Sequence, residues 1–520
     1  MNPMISTAVI LCAAIVVFLL NRIPPPIVAV GVALALYATG TLTYEQIIAG
    51  FGDPIVIYLG GLFIVSEALD ATGVTAWAGQ QLVRRIGEKR SLVLVALMVL
   101  SALVTALISV NGAVAALVPV AVMLAARLKA PPSQMLMPVA FAAHAGSMLT
   151  LLGTPINLMV SDLAADAGAR PFGFFEFAIV GIPLLAGVIA LTVVLGPKLL
   201  PHRAPASAPK DLSEHAETLA AQYRLDGEAA EFSVEDGAIE IVIPPRSPFL
   251  GDTVHPGMRT DSGDLIIEAI QRSGDHLERA ELRVGDVLVM RGAWEALESR
   301  SLDAGLLPVD RPDAVRRQSV HLGPRAYASI AVLAVMCVML AINVVPAAVV
   351  VIAAAAVLVG ARVITVGQAQ HSVSLTTLVI VAGMVPMSTA MQTSGLADAL
   401  STWLVDVFGG SSPYLLLAAI VVIVLVLGQF LSNLATVLIV APVAIAVSTT
   451  AGLSPLPMMM GITIAGAASF LTPVATAGNL MVQEPGAYRF GDYWRLGLPC
   501  LLLFAAVAIF LVPAVWPFHG

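Results

Sequence analysis

Cysteine is nearly absent from these 520 residues, and Cys12, Cys337 and Cys500 lie inside apolar runs with no spacing that suits a disulfide or a metal site. They read as small core hydrophobes. Charge is also scarce: Asp, Glu, Lys and Arg make up 12% of the chain, against about a quarter in soluble proteins. With 58% hydrophobic residues and a mean hydropathy of +0.92, an ordinary soluble protein is excluded. No nucleophile–base pair or metal cluster is present, which excludes hydrolase and transferase chemistry. The N-terminus MNPMIS lacks the basic segment of a cleaved signal, so Ile5 to Leu20 is expected to remain as a first span.

The charges that do occur are unevenly placed. Residues 203–317 hold 13 basic and 22 acidic residues, net −9, whereas the other 405 residues hold 13 basic and 12 acidic, net +1. That is a polar insert of roughly 30% charge between two apolar arms of roughly 6%. The acidic balance belongs to the insert and gives no reason to expect a nucleic-acid partner.

The arms are copies of one another. At a nearly constant offset of 322, Asn21 and Pro24 match Asn343 and Pro346, and Thr43 and Gln46 match Thr365 and Gln368. Ser66, Ala68 and Gly73 match Ser388, Ala390 and Gly395, Asn111 matches Asn433, and Asn157 matches Asn479. The strongest block sets GSMLTLLGTPINLMV (146–160) against ASFLTPVATAGNLMV (468–482), identical at 8 of 15 positions.

Basic residues orient the copies, because loops on the cytoplasmic side are enriched in Lys and Arg. Spans are expected near 5–21, 25–40 and 54–72, followed by an apolar stretch at 91–126. Arg84, Arg85, Lys89 and Arg90 precede that stretch, and Arg127 and Lys129 follow it. Both its ends are therefore cytoplasmic, with a break at SVNG (109–112). A re-entrant hairpin fits, since the duplicate is built the same way; two full spans with a tight outer turn satisfy the same charges. The matching stretch, 413–448, breaks at SNLA (432–435) and has no basic flank; Asp398 and Asp406 precede it instead. The arms thus cross in opposite senses, the inverted-repeat arrangement of secondary transporters. Of the 13 basic residues in the arms only Arg170 lies outside, and the insert, bracketed by Lys198, Arg203, Arg316, Arg317 and Arg325, is cytoplasmic. This topology has ten spans, two re-entrant hairpins and both termini outside.

Backbone leaves the helix inside hydrocarbon only where it is buried in protein or lines a cavity. Four such places come in two pairs: the tips SVNG (109–112) and SNLAT (432–436), and the breaks LLGTPIN (151–157) and PVATAGN (473–479). Each joins a Gly, Pro or small residue to an Asn and a hydroxyl. Free carbonyls at one half-helix end suit Na+, and free N–H groups at the other suit an anion, with no charged side chain required. Asn, Ser and Thr can also simply glue helices together.

These residues resemble the divalent anion:sodium symporters, which carry dicarboxylates or sulfate. GTPIN (153–157) and ATAGN (475–479) match that family's broken-helix element, and SNLAT (432–436) matches in part its Ser-Asn-Thr tip. The resemblance implies one sodium near Ser109, Asn111 and the backbone at Gly153, and a second near Ser432, Asn433 and the backbone at Ala475. The anion would touch Asn111, Gly112, Thr154, Pro155, Ser432, Asn433 and Thr476. Sodium is the implied coupling ion, and no further cofactor is expected. Val110-Asn111-Gly112 departs from Ser-Asn-Thr, Leu434 stands where the family has Thr, and Ala477 answers Pro155. Sulfate is therefore as suitable as a dicarboxylate.

Ionisable residues within spans are functional candidates. Glu67, with Asp70 three residues on, and His144 could couple transport to protons; capping and interfacial roles fit Glu67 and Asp70 as well. Their counterparts at the repeat offset are Thr389, Gln392 and Gly466, so they lie outside the duplicated machinery.

Within the insert, 204–236 is Ala/Pro-rich and then acidic, as in a linker and a polar helix. AIEIVIPP, LIIEAIQR and DVLVMRGAWEALES then alternate as strands and end in a helix. Over 225–308, RSPFLGDTV (246–254), LIIEAIQRSG (265–274) and LRVGDVLVMRG (282–292) resemble the TrkA-C domain of regulators of potassium conductance. That resemblance implies a small-molecule-responsive or dimerising role, and a homodimer is the expected assembly. No G-x-G-x-x-G loop precedes it, so no NAD site is expected.

The expected fold is an all-α polytopic membrane protein of inverted repeats (1–200 and 323–520), each with a re-entrant hairpin and a broken helix. A small cytoplasmic α+β domain (203–317) separates them. The expected function is sodium-coupled symport of a small divalent anion in a bacterial inner membrane. A proton-coupled antiporter and a membrane sensor signalling through the insert are the alternatives.

Overall fold

The computed structural model describes residues 2–519 apart from 21, 76, 79–80, 82–88, 129, 204–218, 220, 224–235, 261–262, 302–304, 311–322, 343, 410–411, 430 and 474. Asn21, Asn343, Arg84, Arg85, Lys129, Arg316, Arg317 and most of the Ala/Pro-rich linker lie outside the described residues. The chain forms two compact units, Met1–Ala68 with Gln81–Ala208 and Ala331–Gly520, and Leu69–Gln80 with Pro209–Ile330.

Outside the insert the described chain is helical. Its first repeat contains α1 (Pro3–Leu20), α2 (Pro25–Ala38), α3 (Tyr44–Phe51), α4 (Pro54–Ala71), α5 (Arg90–Leu107), α6 (Val110–Arg127), α7 (Leu136–Gly146), α8 (Pro155–Asp166) and α9 (Ala178–Leu199). Helix α10 (Trp294–Ser301) belongs to the insert. The second repeat contains α11 (Pro324–Ile342), α12 (Ala347–Gly360), α13 (Val366–Ser372), α14 (Leu375–Thr393), α15 (Leu396–Leu404), α16 (Pro413–Leu427), α17 (Asn433–Thr450), α18 (Pro455–Ala467), α19 (Ala477–Gln483) and α20 (Tyr493–Ala506). Among the described residues seven helices are long and apolar enough to cross a membrane, and six more are apolar with 10–17 residues.

The matched residues of the two arms do matched work. Thr43 Oγ1 accepts from Gln46 N while Gln46 Oε1 accepts from Thr43 N, a capping box that starts α3; Thr365 and Gln368 repeat both bonds at α13. Packing is duplicated too. A Cβ on Gly383 of α14 would lie 2.7 Å from the Ala29 carbonyl carbon of α2, and one on Gly61 of α4 would lie 3.2 Å from the Val351 carbonyl carbon of α12. Lipid supplies no hydrophobic drive between helices, so close backbone approach at small residues is what holds such crossings.

Three segments that the charge pattern puts on one face meet at Tyr488. Its hydroxyl donates to Ser133 O (2.6 Å) and accepts from Met137 N (2.9 Å), and Ser133 Oγ donates to Pro201 O (2.6 Å).

The second unit carries a five-stranded sheet in the order β4-β3-β6-β1-β7 and a two-stranded sheet β2-β5. The strands are β1 (Asp236–Val242), β2 (Thr253–Val254), β3 (Leu265–Arg272), β4 (Asp275–His276), β5 (Ala280–Glu281), β6 (Val287–Ala293) and β7 (Leu307–Pro308), with α10 (Trp294–Ser301) after β6. The three long strands and the helix fall where the alternation put them. Ile239, Ile241, Leu265, Ile267, Leu288 and Met290 alternate into one core with Trp294 and Leu297 of α10.

Candidate functional site

The first tip lies between α5 and α6 and the second between α16 and α17. Ser109 Oγ accepts from Gly112 N (3.2 Å) and Ser432 Oγ from Ala435 N (3.3 Å), so each serine caps the helix that leaves its tip. This equivalence corrects the repeat alignment. With Ser109 opposite Ser432 and the helix prolines Pro119 and Pro442 opposite each other, the tips align at 323, one more than the 322 that holds elsewhere. Asn111 is then the second residue of α6 and Asn433 the first of α17; they are not structural counterparts. The physical reason is a one-residue difference between tip and break in the two repeats. Asn433 Oδ1 accepts from Ser469 Oγ, whereas Asn111 is exposed, with its Oδ1 3.8 Å from the position a Gly478 Cβ would take.

The breaks run from Ser147 to Thr154 and from Ala468 to Thr476, opening earlier than the sequence motifs do. Both are closed by the same device. Asn157 Nδ2 donates to Ser147 O (2.8 Å) and Thr150 O (2.8 Å); Asn479 Nδ2 donates to Ser469 O (2.7 Å) and Thr472 O (3.1 Å). Thr150 Oγ1 donates to Ala106 O, and Thr472 Oγ1 to Gln429 O (3.2 Å), pinning each break to its own hairpin. The second copy is tied further by Gln429, whose Nε2 donates to Ala468 O (3.0 Å) and whose Oε1 accepts from Leu471 N (3.0 Å). Asn157 and Asn479 are fully buried; Oδ1 of Asn157 has no hydrogen-bond partner among the described residues, and that of Asn479 faces only the His144 ring.

Backbone packing explains the residue types. A Cβ on Gly153 would sit 2.3 Å from Ser147 O, so only glycine lets the first break fold onto the end of α7. Its counterpart Ala475 is buried. Thr154 and Thr476 are the cap residues of α8 and α19; Thr476 Oγ1 accepts from Asn479 N (3.2 Å), while Thr154 makes no side-chain cap bond. Pro155 removes an N–H that Ala477 retains.

The repeats interlock. Helix α19 packs on α6 and α7, and α8 on α17 and α18, so each half-helix meets the other copy's tip helix. His144 of α7 is buried, with Nε2 3.2 Å from Thr476 Oγ1, and its ring stands edge-on to Phe470 at 5.6 Å. On α4 it is Ser66, next to Glu67, that meets the first tip: its Oγ lies 3.5 Å from where a Gly112 Cβ would be. The structure thus gathers Asn111 with α19, and His144 with Thr476, across the repeat boundary. Asn433 bonds to Ser469.

Asn157 and Asn479 are not among the site residues expected from the sequence. The signal was present, since both lie in the strongest repeated block, but only the fold shows that their amides hold the breaks. Gly181 and Gly497 escaped notice because the last helices align at 316: a Cβ would fall 2.1 Å from Met148 O in one and 2.3 Å from Phe470 O in the other.

A family model for citrate transporters, CitMHS, matches residues 15–409 and again 337–519. The uncharacterised transporter YfbS of Escherichia coli (strain K12) is 28% identical over 98% of each chain. The probable sodium/sulfate cotransporter 3 of Chlamydomonas reinhardtii is 24% identical over 53% of this chain and 32% of its own length. Among solved structures, the YdaH transporter of Alcanivorax borkumensis shares the fold, with a TM-score of 0.54 at 14% identity over 98% of this chain and 100% of that one. The family match spans most of both repeats, so the chain belongs to the CitMHS citrate transporter family and is a membrane transporter rather than an enzyme.

Proposed function

We propose that this transporter is a sodium-coupled symporter of a small divalent anion, sulfate or a dicarboxylate, in which the two repeats provide alternating access. The observation that carries the reading is the buried, unpartnered carbonyl oxygen of Asn157 in the first break, matched in the second by that of Asn479, which faces only the His144 ring. A buried acceptor left without a donor costs about 1–3 kcal/mol, and an anion offers it nothing. A cation satisfies it, and uncharged carbonyls around broken backbone suit Na+. The anion is then recognised beside these loci by the tip and break residues Asn111, Gly112, Thr154, Asn433 and Thr476. Ser109, Gly153, Ser432 and Ala475 supply the remaining oxygens around the two cations.

The printed names of the relatives agree with this class: a citrate transporter family, and a probable sodium/sulfate cotransporter. In this reading the protein lies in the bacterial inner membrane as a homodimer with the insert cytoplasmic. The insert acts as a TrkA-C-type module that responds to a small molecule. One observation favours a second reading, proton coupling: the buried imidazole of His144 is bonded to Thr476 inside the site.

Proteoliposomes decide between them. Labelled sulfate, succinate or citrate should accumulate under an imposed sodium gradient at fixed pH, and Asn111→Ala and Asn433→Ala should each reduce that uptake at least about tenfold. Uptake that ignores sodium and follows a pH gradient would favour the second reading. Full sodium-driven uptake in both folded variants would refute the assigned residues.

A further inference from the structure

The last helices of the two repeats, α9 and α20, pack against each other, with a Cβ on Gly187 falling 2.5 Å from the Leu503 side chain. Each is preceded by a tight turn that ends in a carboxylate. Glu176 accepts from Gly173 N (2.8 Å), and Asp492 accepts from Arg489 N (2.8 Å). The two turns align at 316, the offset that also pairs Gly181 with Gly497 and Pro183 with Pro499. Each carboxylate then bonds to the far end of the other last helix. Glu176 Oε1 accepts from Trp516 Nε1 (2.6 Å), beyond the end of α20, and Asp492 Oδ2 accepts from Arg203 Nη1 (2.6 Å), beyond the end of α9. Arg170 adds a two-pronged pair to Glu176 at 2.7 and 2.6 Å. One antiparallel pair of helices is therefore clasped at both ends by equivalent acids.

Five residues after each acid comes the glycine against which the break carbonyl of the same repeat lies: Met148 O on Gly181, Phe470 O on Gly497. In the first repeat the link is also direct, because Leu151 N of the break donates to Phe174 O (2.9 Å) inside the Glu176 turn. The second repeat has Pro473 at the matching place and no N–H to give.

We infer that Glu176 and Asp492 are paired positioning residues that set the geometry of the two breaks, each for its own repeat, by locking the last helix that the break rests on. The inference rests on the breaks being where transport is done. It assigns a role to two charged residues outside the candidate site.

The test is hydrogen exchange followed by mass spectrometry on the full-length protein in lipid nanodiscs, with neither anion nor sodium added. It therefore reads positioning whatever the transported solute proves to be, and the uptake assay above fails or succeeds separately. In Glu176→Gln, amides of 147–153 should exchange at least about tenfold faster than wild type while those of 469–475 are unchanged; Asp492→Asn should do the reverse. Asp492→Glu, which keeps the carboxylate, should restore most of the protection. If Glu176→Gln or Asp492→Asn does not fold, Trp516→Phe and Arg203→Gln, which each remove one partner only, give the same comparison. Equal acceleration in both breaks, or none in either, overturns the inference.

Discussion

His144 reaches across the repeat boundary to Thr476, its Nε2 3.2 Å from the threonine Oγ1. The contact has no twin, because Gly466 occupies the matching place in α18. Two copies of one unit thus make an asymmetric site, with a titratable ring against one break only. In a sodium symporter His144 orients Thr476 rather than carrying the coupling proton. His144→Gln, which keeps an amide donor, should retain sodium-driven uptake with an anion KM raised roughly three- to tenfold; abolition of all uptake driven by a pH gradient would identify the ring as the coupling group instead.

Asn157 and Asn479 each hold two buried carbonyls. Replacement by Ala leaves those carbonyls unpaired, at about 1–3 kcal/mol per break. Thermal unfolding of either variant should shift down by a few degrees, and sodium-driven uptake should fall at least about tenfold. Asn157→Asp also removes the donors and sets a carboxylate oxygen against Ser147 O and Thr150 O, so it should lower the unfolding temperature at least as much as Asn157→Ala.

Gly181→Ala and Gly497→Ala place a methyl where Met148 O and Phe470 O now lie. Backbone must move, at a cost of about 1–3 kcal/mol, and anion affinity should weaken accordingly in a filter-binding assay. Gly31→Ala is the control, since a Cβ there meets nothing within 4 Å. An unchanged affinity in both test variants would show that the breaks tolerate displacement.

In the insert, Arg272 donates to both oxygens of the buried Asp286 at 2.7 Å, and Arg283 N adds a third bond at 2.8 Å. Hydrogen bonding from Arg272 outweighs burial and holds the Asp286 carboxyl below its ordinary range. A depressed pKa contributes stability that is complete above the ordinary carboxylate value and fades as pH falls through the lowered one. Exchange protection of 265–293 should therefore drop on acidification below about pH 4, and Asp286→Asn should show the reduced protection already at neutral pH. Protection independent of pH from 7 to 3 would contradict this.

Much of the architecture was legible in particular residues. Thr43 and Gln46 matched Thr365 and Gln368 because a capping box is local chemistry, readable in any copy of the sequence. The strands of the insert showed as alternation because one face of a sheet is buried. The tips were harder. Asn111 and Asn433 align in sequence, yet Ser109 and Ser432 decide where the helices begin, and capping geometry shifts the register by one residue. The glycines of α9 and α20 carry no periodic signal, since what requires them is a carbonyl from a distant segment.

By itself the sequence determined that this is a membrane protein of two repeated copies with a polar insert, because charge distribution and repetition are properties of the chain alone. It also located the four interruptions, since Gly, Pro and Asn in apolar helices have few other uses. Only the tertiary structure decided which oxygens stay unpartnered, that each half-helix meets the other repeat's tip, and that Glu176 and Asp492 clasp the last helices end to end. Those facts depend on which groups are left without partners once two copies interlock, and no single segment contains that information.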